Sequence, residues 1–379
     1  MLMKKLHASK LTSLAALVAV ALGSTAYATQ YTVTPLGTLG GASTSISPLS
    51  AIDSTGQIVG QSVDSAGNYE PFIYSNGVMQ DIGPAIGGTN GYAWGANSLG
   101  QVVGYTTDSA GNAQAFLYSN GTSTNLGTLG GSESQAYAIS STGEVVGSSI
   151  NSAGNWTAFS YSNGQMTSLG ALGGTFSRAN AVNGSGQIVG QVGTSSGSDA
   201  FLYQNGTMTN LNPLLGTTRA SANAISSVGG IAGWYTNSSG KTAPFLYYNG
   251  AVTDIGTLGG SYAYAQAINS FNDVVGQSAT SSGTTDAFLY SNGAMQDLNT
   301  LIGSASSEYT LTAAYGINNN GQIAVQGTVT ATGQSTGFLL TPITSTSSAA
   351  VPAPETLGLF AAAMVGLLLM RRKQARSLS

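Results

Sequence analysis

The sequence predicts an all-β fold, a seven-bladed β-propeller, on three observations. A phenylalanine in an apolar stretch recurs at Phe72, Phe116, Phe159, Phe201, Phe245, Phe288 and Phe338, with spacings of 44, 43, 42, 44, 43 and 50 residues. Ahead of each lies an apolar pair followed by glycine: Ile58-Val59-Gly60, Val102-Val103-Gly104, Val145-Val146-Gly147, Ile188-Val189-Gly190, Ile231-Ala232-Gly233 and Val274-Val275-Gly276, with a degenerate Ile323-Ala324-Val325. The ends of the array are complementary: 32–36 reads as a fourth strand with no blade before it, and 337–340 as a third strand with no fourth after it. Four antiparallel strands per repeat of about 43 residues is the propeller pattern. Closure by the N-terminal strand protects the sheet edges, which an open β-repeat would leave unpartnered.

Residues 1–28 read as a secretory signal peptide. Lys4, Lys5 and Lys10 form its basic part, 14–22 its apolar part, and Ala26 and Ala28 flank the cleavage site. The propeller body is 29–343. One unit, 128–170, gives the plan. A small-residue strand at 135–140 meets a turn at Ser141-Thr142-Gly143, then a valine-rich strand at 144–148. A third strand at 157–161 and a fourth at 165–169 are joined by Asn163-Gly164, a strong hairpin signal. Phenylalanine and tyrosine are expected to fill the spaces between blades, alanines such as Ala136 and Ala138 the crowded centre, and pairs such as Gly130-Gly131 the passage from blade to blade. A linker follows at 344–350. The segment 351–379 then has a Pro-rich start, an apolar helix at 357–370 and a basic tail. Fourteen apolar residues span about 21 Å as a helix, shorter than a hydrocarbon core of about 30 Å. The basic tail places the C-terminus in the cytoplasm.

Composition narrows the chemistry. The 379 residues include no cysteine and one histidine, His7, which leaves with the signal peptide. That excludes a thiolate nucleophile, a cysteine zinc site and a histidine-based triad. Only 6% of residues are charged. Without the two ends, the body keeps Arg178, Arg219 and Lys241 against thirteen acids, a net charge of −10. Nucleic acid is therefore not an expected partner. No phosphate-cradling or nucleophile-elbow motif is present, and no cofactor, metal or catalytic residue is assigned.

The C-terminal segment resembles the PEP-CTERM sorting signal of Gram-negative, exopolysaccharide-producing bacteria. The resemblance rests on Val351, Pro352, Pro354 and Glu355, then the apolar run, then Arg371, Arg372 and Lys373. Ala353 stands where the motif has glutamate. The resemblance implies an exosortase-type sorting enzyme as partner, transient residence in the inner membrane and release to the cell surface or matrix. A permanent single-pass anchor is the alternative. The body, over 31–340, resembles HAF repeats of bacterial extracellular proteins. Units such as Asp254-Ile255-Gly256-Thr257-Leu258-Gly259-Gly260 and Asp286-Ala287-Phe288 carry this second resemblance. The family's histidine is missing throughout, as in Gln114-Ala115-Phe116 and Thr157-Ala158-Phe159.

One repeat position is variable and polar or aromatic: Ser50, Trp94, Tyr137, Asn180, Asn223, Gln266 and Tyr315. Aromatics beside amides suit sugar binding, so these are candidate ligand residues, with ordinary packing between blades as the plainer role. Asp81, Asp254 and Asp297 share another position, but repeat equivalence puts them on separate outer strands. Asp64 and Asp108 open Asp-Ser-Ala-Gly-Asn loops that lack calcium-loop spacing. The expected function is an exported, non-enzymatic structural or adhesive scaffold associated with exopolysaccharide. A carbohydrate-binding propeller and a carboxylate-dependent polysaccharide hydrolase or lyase are the alternatives.

Overall fold

A computed structural model describes residues 30–343, except 88, 89 and 196. The expected signal peptide, linker and sorting segment, with the apolar helix expected at 357–370, lie outside the described residues. Among those described, no helix is long and apolar enough to cross a membrane. The body forms seven four-stranded antiparallel sheets arranged as a ring, a seven-bladed β-propeller. Blade 3 consists of Gly130–Ile139, Val145–Asn151, Trp156–Ser162 and Gln165–Gly170. First strands of neighbouring blades lie against one another around the axis, and fourth strands form the rim.

The ring closes as the sequence predicts. Tyr31–Pro35 pairs antiparallel with Ser335–Pro342, with Tyr31 opposite Pro342 and Pro35 opposite Phe338. Blade 7 therefore takes three strands from the end of the body and its fourth from the start. The Asn-Gly hairpins fold as their composition demands: Asn163 and Gly164 have φ of 51° and 78°. Two consecutive left-handed residues match the twist of the flanking strands.

The seven phenylalanines are among the largest fully buried side chains. Each packs between its own blade and the one before. Phe201 of blade 4 lies on Ala138, Val146 and Ala158 of blade 3, and Phe72 of blade 1 lies on Ala324 of blade 7. Burying each ring contributes roughly 1.5–3 kcal/mol. The glycine after each apolar pair has a steric cause. A first strand bulges after its small residue, between Ala136 and Ala138 in blade 3. That bulge leaves the Gln135 carbonyl only 2.0 Å from where a Cβ on Gly147 would stand. In blade 7 the position is Val325, and a second bulge moves the crowded point to Gly327, whose Cβ would meet Thr310 O at 2.3 Å.

Two expectations need adjustment. The first strand of blade 3 begins at Gly130, not 135, because Gly130 pairs with Asn151 and Gly131 is pressed against the second strand. A Cβ on Gly131 would lie 2.6 Å from Ile150 O, so the glycine pair is the start of the strand itself. Blades 1, 4 and 6 leave their fourth strands through short helical turns, Gly83–Ile86, Asn212–Leu215 and Leu298–Thr300. Pro84 and Pro213 sit in the first turns of two of them, where no amide donor is needed. A further turn, Gly303–Ser307, accounts for the long spacing before Phe338.

Candidate functional site

The polar and aromatic position picked out in the sequence is the bulge itself. Trp94 lies between Ala93 and Gly95 where the register shifts, and Tyr137, Asn180, Asn223, Gln266 and Tyr315 occupy the same place in blades 3 to 7. A bulge leaves its extra residue out of the ladder and re-aims its side chain. Because the first strands are innermost, the six residues are distributed round the axis. In blade 1 the strand ends at Ile46, and Ser50 belongs to an inserted loop, with a left-handed φ of 43°.

Five of these residues form a continuous arc. The rings of Trp94 and Tyr137 are 4.5 Å apart between centroids. The Arg178 guanidinium lies over Tyr137, 5.4 Å from its centroid. Arg178 Nε donates to Asn180 Oδ1 at 2.8 Å. Asn180 Nδ2 donates to Ala222 O at 2.9 Å, Ser221 Oγ to Asn223 Oδ1 at 2.9 Å, and Asn223 Nδ2 to Ala265 O at 2.9 Å. Asn223 Nδ2 also reaches Gln266 Oε1 at 3.4 Å. Tyr315 stands apart from the arc, against the core of blade 1.

Burial divides the set. Tyr137, Asn180 and Asn223 are buried, whereas Trp94, Gln266 and Tyr315 are half-buried. Burial raises the Tyr137 phenol above its ordinary range, against the opposing hydrogen bond with Ser148 and the charge of Arg178. Tyr92, packed edge-on to Trp94, is pushed up to about 12, again chiefly by burial. Both phenols are therefore neutral at physiological pH. Tyr92 and Arg178 are not among the candidate ligand residues read from the sequence. The available signal was their position two residues before the bulge residue, on the same face of the strand.

The turns after the first strands add a second ring of contacts. Asn97 Nδ2 donates to Ser140 O at 2.9 Å, Asn183 Nδ2 to Ser226 O at 3.1 Å, and Asn318 Nδ2 to Asp53 O at 3.1 Å. Asn269 Nδ2 donates more weakly to Asn318 O, at 3.4 Å. Each amide fastens its blade to the next, and Asn318 does so across the closing seam. Blades 1, 3 and 5 carry Asp53, Ser140 and Ser226 there, which have no such amide.

The outer carboxylates lie where the repeat equivalence put them, with neighbours the sequence did not show. Asp81, Asp254 and Asp297 do end the fourth strands of three separate blades. Two of them, however, have an acidic neighbour in the same blade. Glu70 is raised by burial and then by the nearby charge of Asp81, and Asp286 by burial and then by Asp297. Asp254 instead accepts from the Tyr235 hydroxyl at 2.9 Å. Asp64 and Asp108 close their own loops. Asp64 Oδ1 accepts from Ala66 N and Asn68 N, each at 2.8 Å, and Asp108 Oδ1 accepts the equivalent pair. These bonds hold both carboxyls below the usual range, led by the backbone N–H of Asn68 and of Asn112. Among the described residues, no group of three or more acidic or histidine side chains is placed to hold a metal ion.

No protein-family model matches the sequence, and no curated protein matches it. Solved structures do. YCF48 bound to a D1 peptide is 12% identical with a TM-score of 0.50, over 86% of this chain and 98% of that one. A puromycin-hydrolyzing peptidase from Mycobacterium tuberculosis is 11% identical with a TM-score of 0.49, over 81% of this chain and 55% of that one. TolB from Acinetobacter baumannii is 11% identical with a TM-score of 0.38, over 83% and 80%. The likeness to YCF48 is one of fold alone. Propellers serve many activities, so function must be argued from sites.

Proposed function

We propose that the protein is a non-enzymatic scaffold of the cell surface or extracellular matrix, associated with exopolysaccharide. One observation carries this reading. The amides best suited to grip a ligand at the axis, Asn180 and Asn223, are buried and bonded to carbonyls of the next blade. Their chemistry serves the rigidity of the ring. The signal-peptide pattern at 1–28 and the sorting-signal resemblance at 351–379 support export and surface release.

The test has two parts. Intact mass of the protein recovered from the cell surface is expected to show loss of residues near 355–379. Retention of those residues contradicts sorting and indicates a fixed anchor. Fractionation of the matrix is expected to recover the protein with the polysaccharide, and its recovery wholly in the polysaccharide-free fraction contradicts the association.

A further inference from the structure

Four seams of the ring share one packing device beside the turn that follows the first strand. A long polar side chain of one blade lies beneath a turn glycine of the next. Measured to a Cβ built on the glycine, Gln322 approaches Gly56 at 2.9 Å, Gln101 approaches Gly143 at 3.4 Å, Glu144 approaches Gly186 at 3.5 Å, and Gln187 approaches Gly229 at 3.6 Å. Between blades 5 and 6 the device is reversed. Gly230 takes the long residue's place, and Asn272, with φ of 62°, takes the glycine's. Asn272 Oδ1 is buried there without a hydrogen-bond partner.

Beside this altered seam lies a cleft of about 600 Å³ lined by Leu246, Phe271, Asp273, Tyr290 and Asn292 together with Asn272. Its size is that of an ordinary small-ligand site. Phe271, at the tip of the turn, is 71% exposed, the most exposed of the large hydrophobic side chains among the described residues. The positions equivalent to it carry Thr55, Leu99, Thr142, Ser185, Val228 and Asn320, so only this blade puts an aromatic ring there. Asp273 Oδ2 accepts from Asn269 Nδ2 at 2.9 Å, which fixes the carboxylate and leaves its other oxygen as an acceptor.

We infer that this cleft binds a neutral, hydroxyl-rich sugar unit, with the ring of Phe271 stacking on the sugar's C–H face. Asn272, Asp273, Tyr290 and Asn292 line the cleft with Phe271 and carry the amide, carboxylate and hydroxyl groups that pair with the alternating donors and acceptors of sugar hydroxyls. The lining contains no cation and one carboxylate, so a uronate would meet repulsion. The inference rests on the association with exopolysaccharide and specifies its chemistry.

Native-gel retardation of the full chain tests it, with dextran, galactomannan and xylan as neutral probes and alginate as the acidic one. Wild type is expected to be retarded by at least one neutral probe and not by alginate. Phe271→Ala is expected to weaken that retardation at least tenfold, and Phe271→Trp to keep it. Phe271 is exposed, so an unchanged thermal melt establishes that the variants are folded. Equal retardation of Phe271→Ala and wild type overturns the cleft while leaving the matrix association standing. Preference for alginate, or no retardation by any neutral probe, also overturns the cleft, and matrix fractionation then decides the association separately.

Discussion

Gly230 and Asn272 complement each other across the seam between blades 5 and 6: a Cβ on Gly230 would stand 2.3 Å from Asn272 Oδ1. The large and small partners have changed sides relative to four other seams. Gly230→Gln should therefore collide with Asn272 and cost about 1–3 kcal/mol, the usual range for overpacking. Asn272→Gly removes a side chain held in a left-handed conformation and should be nearly neutral. The double substitution rebuilds the arrangement of the other seams and should recover most of the loss. Urea melts of the four proteins measure the coupling. Simple additivity would show that the two residues are not a pair.

Gly147 tests the steric origin of the repeated glycine. Gly147→Ala places a methyl group 2.0 Å from the Gln135 carbonyl, and backbone cannot move aside as a side chain can. A loss above about 3 kcal/mol is expected, the scale of a named core or backbone defect. Gly184→Ala is the control. Its nearest neighbour is the movable hydroxyl of Ser141 at 2.7 Å, and the expected change is below about 1 kcal/mol. Equal losses would remove the argument.

Deletion of 30–36 should unseat blade 7. It removes the five residues paired with the last strand, and with them Leu36, whose N–H donates to Gly337 O at 2.9 Å. A cooperative melt with an unchanged midpoint would contradict closure by this strand. The expected result is a broadened transition at lower temperature.

Alkaline pH should weaken the fold through buried phenols. Tyr31 is pushed up to about 12, first by burial and then by the charge of Asp273, and Tyr92 to about 12 by burial. A folded-state value above the unfolded one stabilises the protein in full below pH 10, and that stabilisation is lost as pH rises from about 10 toward about 12. Tyr31→Phe should flatten this decline and change little at pH 7. Tyr92→Phe should flatten it too, but lose about 1 kcal/mol at neutral pH because the hydroxyl donates to Ile46 O at 3.0 Å. Melting temperatures from pH 8 to 12 read both effects.

The architecture was legible because each blade repeats the same few constraints. Phe159 must be buried, Gly147 must lack a side chain, and Asn163-Gly164 must turn. Each leaves a residue type at a fixed interval. Strand starts were less legible, since Gly130-Gly131 reads as a turn until its contact with Ile150 is known. The bulge position was visible as variability, yet nothing local distinguishes Asn180, locked to the neighbouring blade, from Gln266, half-buried two blades further on. Partners more than forty residues away decide that. The seam at Gly230 was illegible for the same reason, because a missing glutamine looks like ordinary drift until Asn272 is seen to compensate.

The pairing of Tyr31 with Pro342 also imposes an order in time. A chain that emerges with its N-terminus leading presents its first strand when no partner for it exists. Six blades can assemble while that strand waits, and the seventh becomes possible only when residue 342 has emerged. Joining strands this distant in sequence makes closure a late and slow event. A ribosome still holding the end of the body therefore holds an open arc, and the completed ring is a signature that the entire domain has emerged.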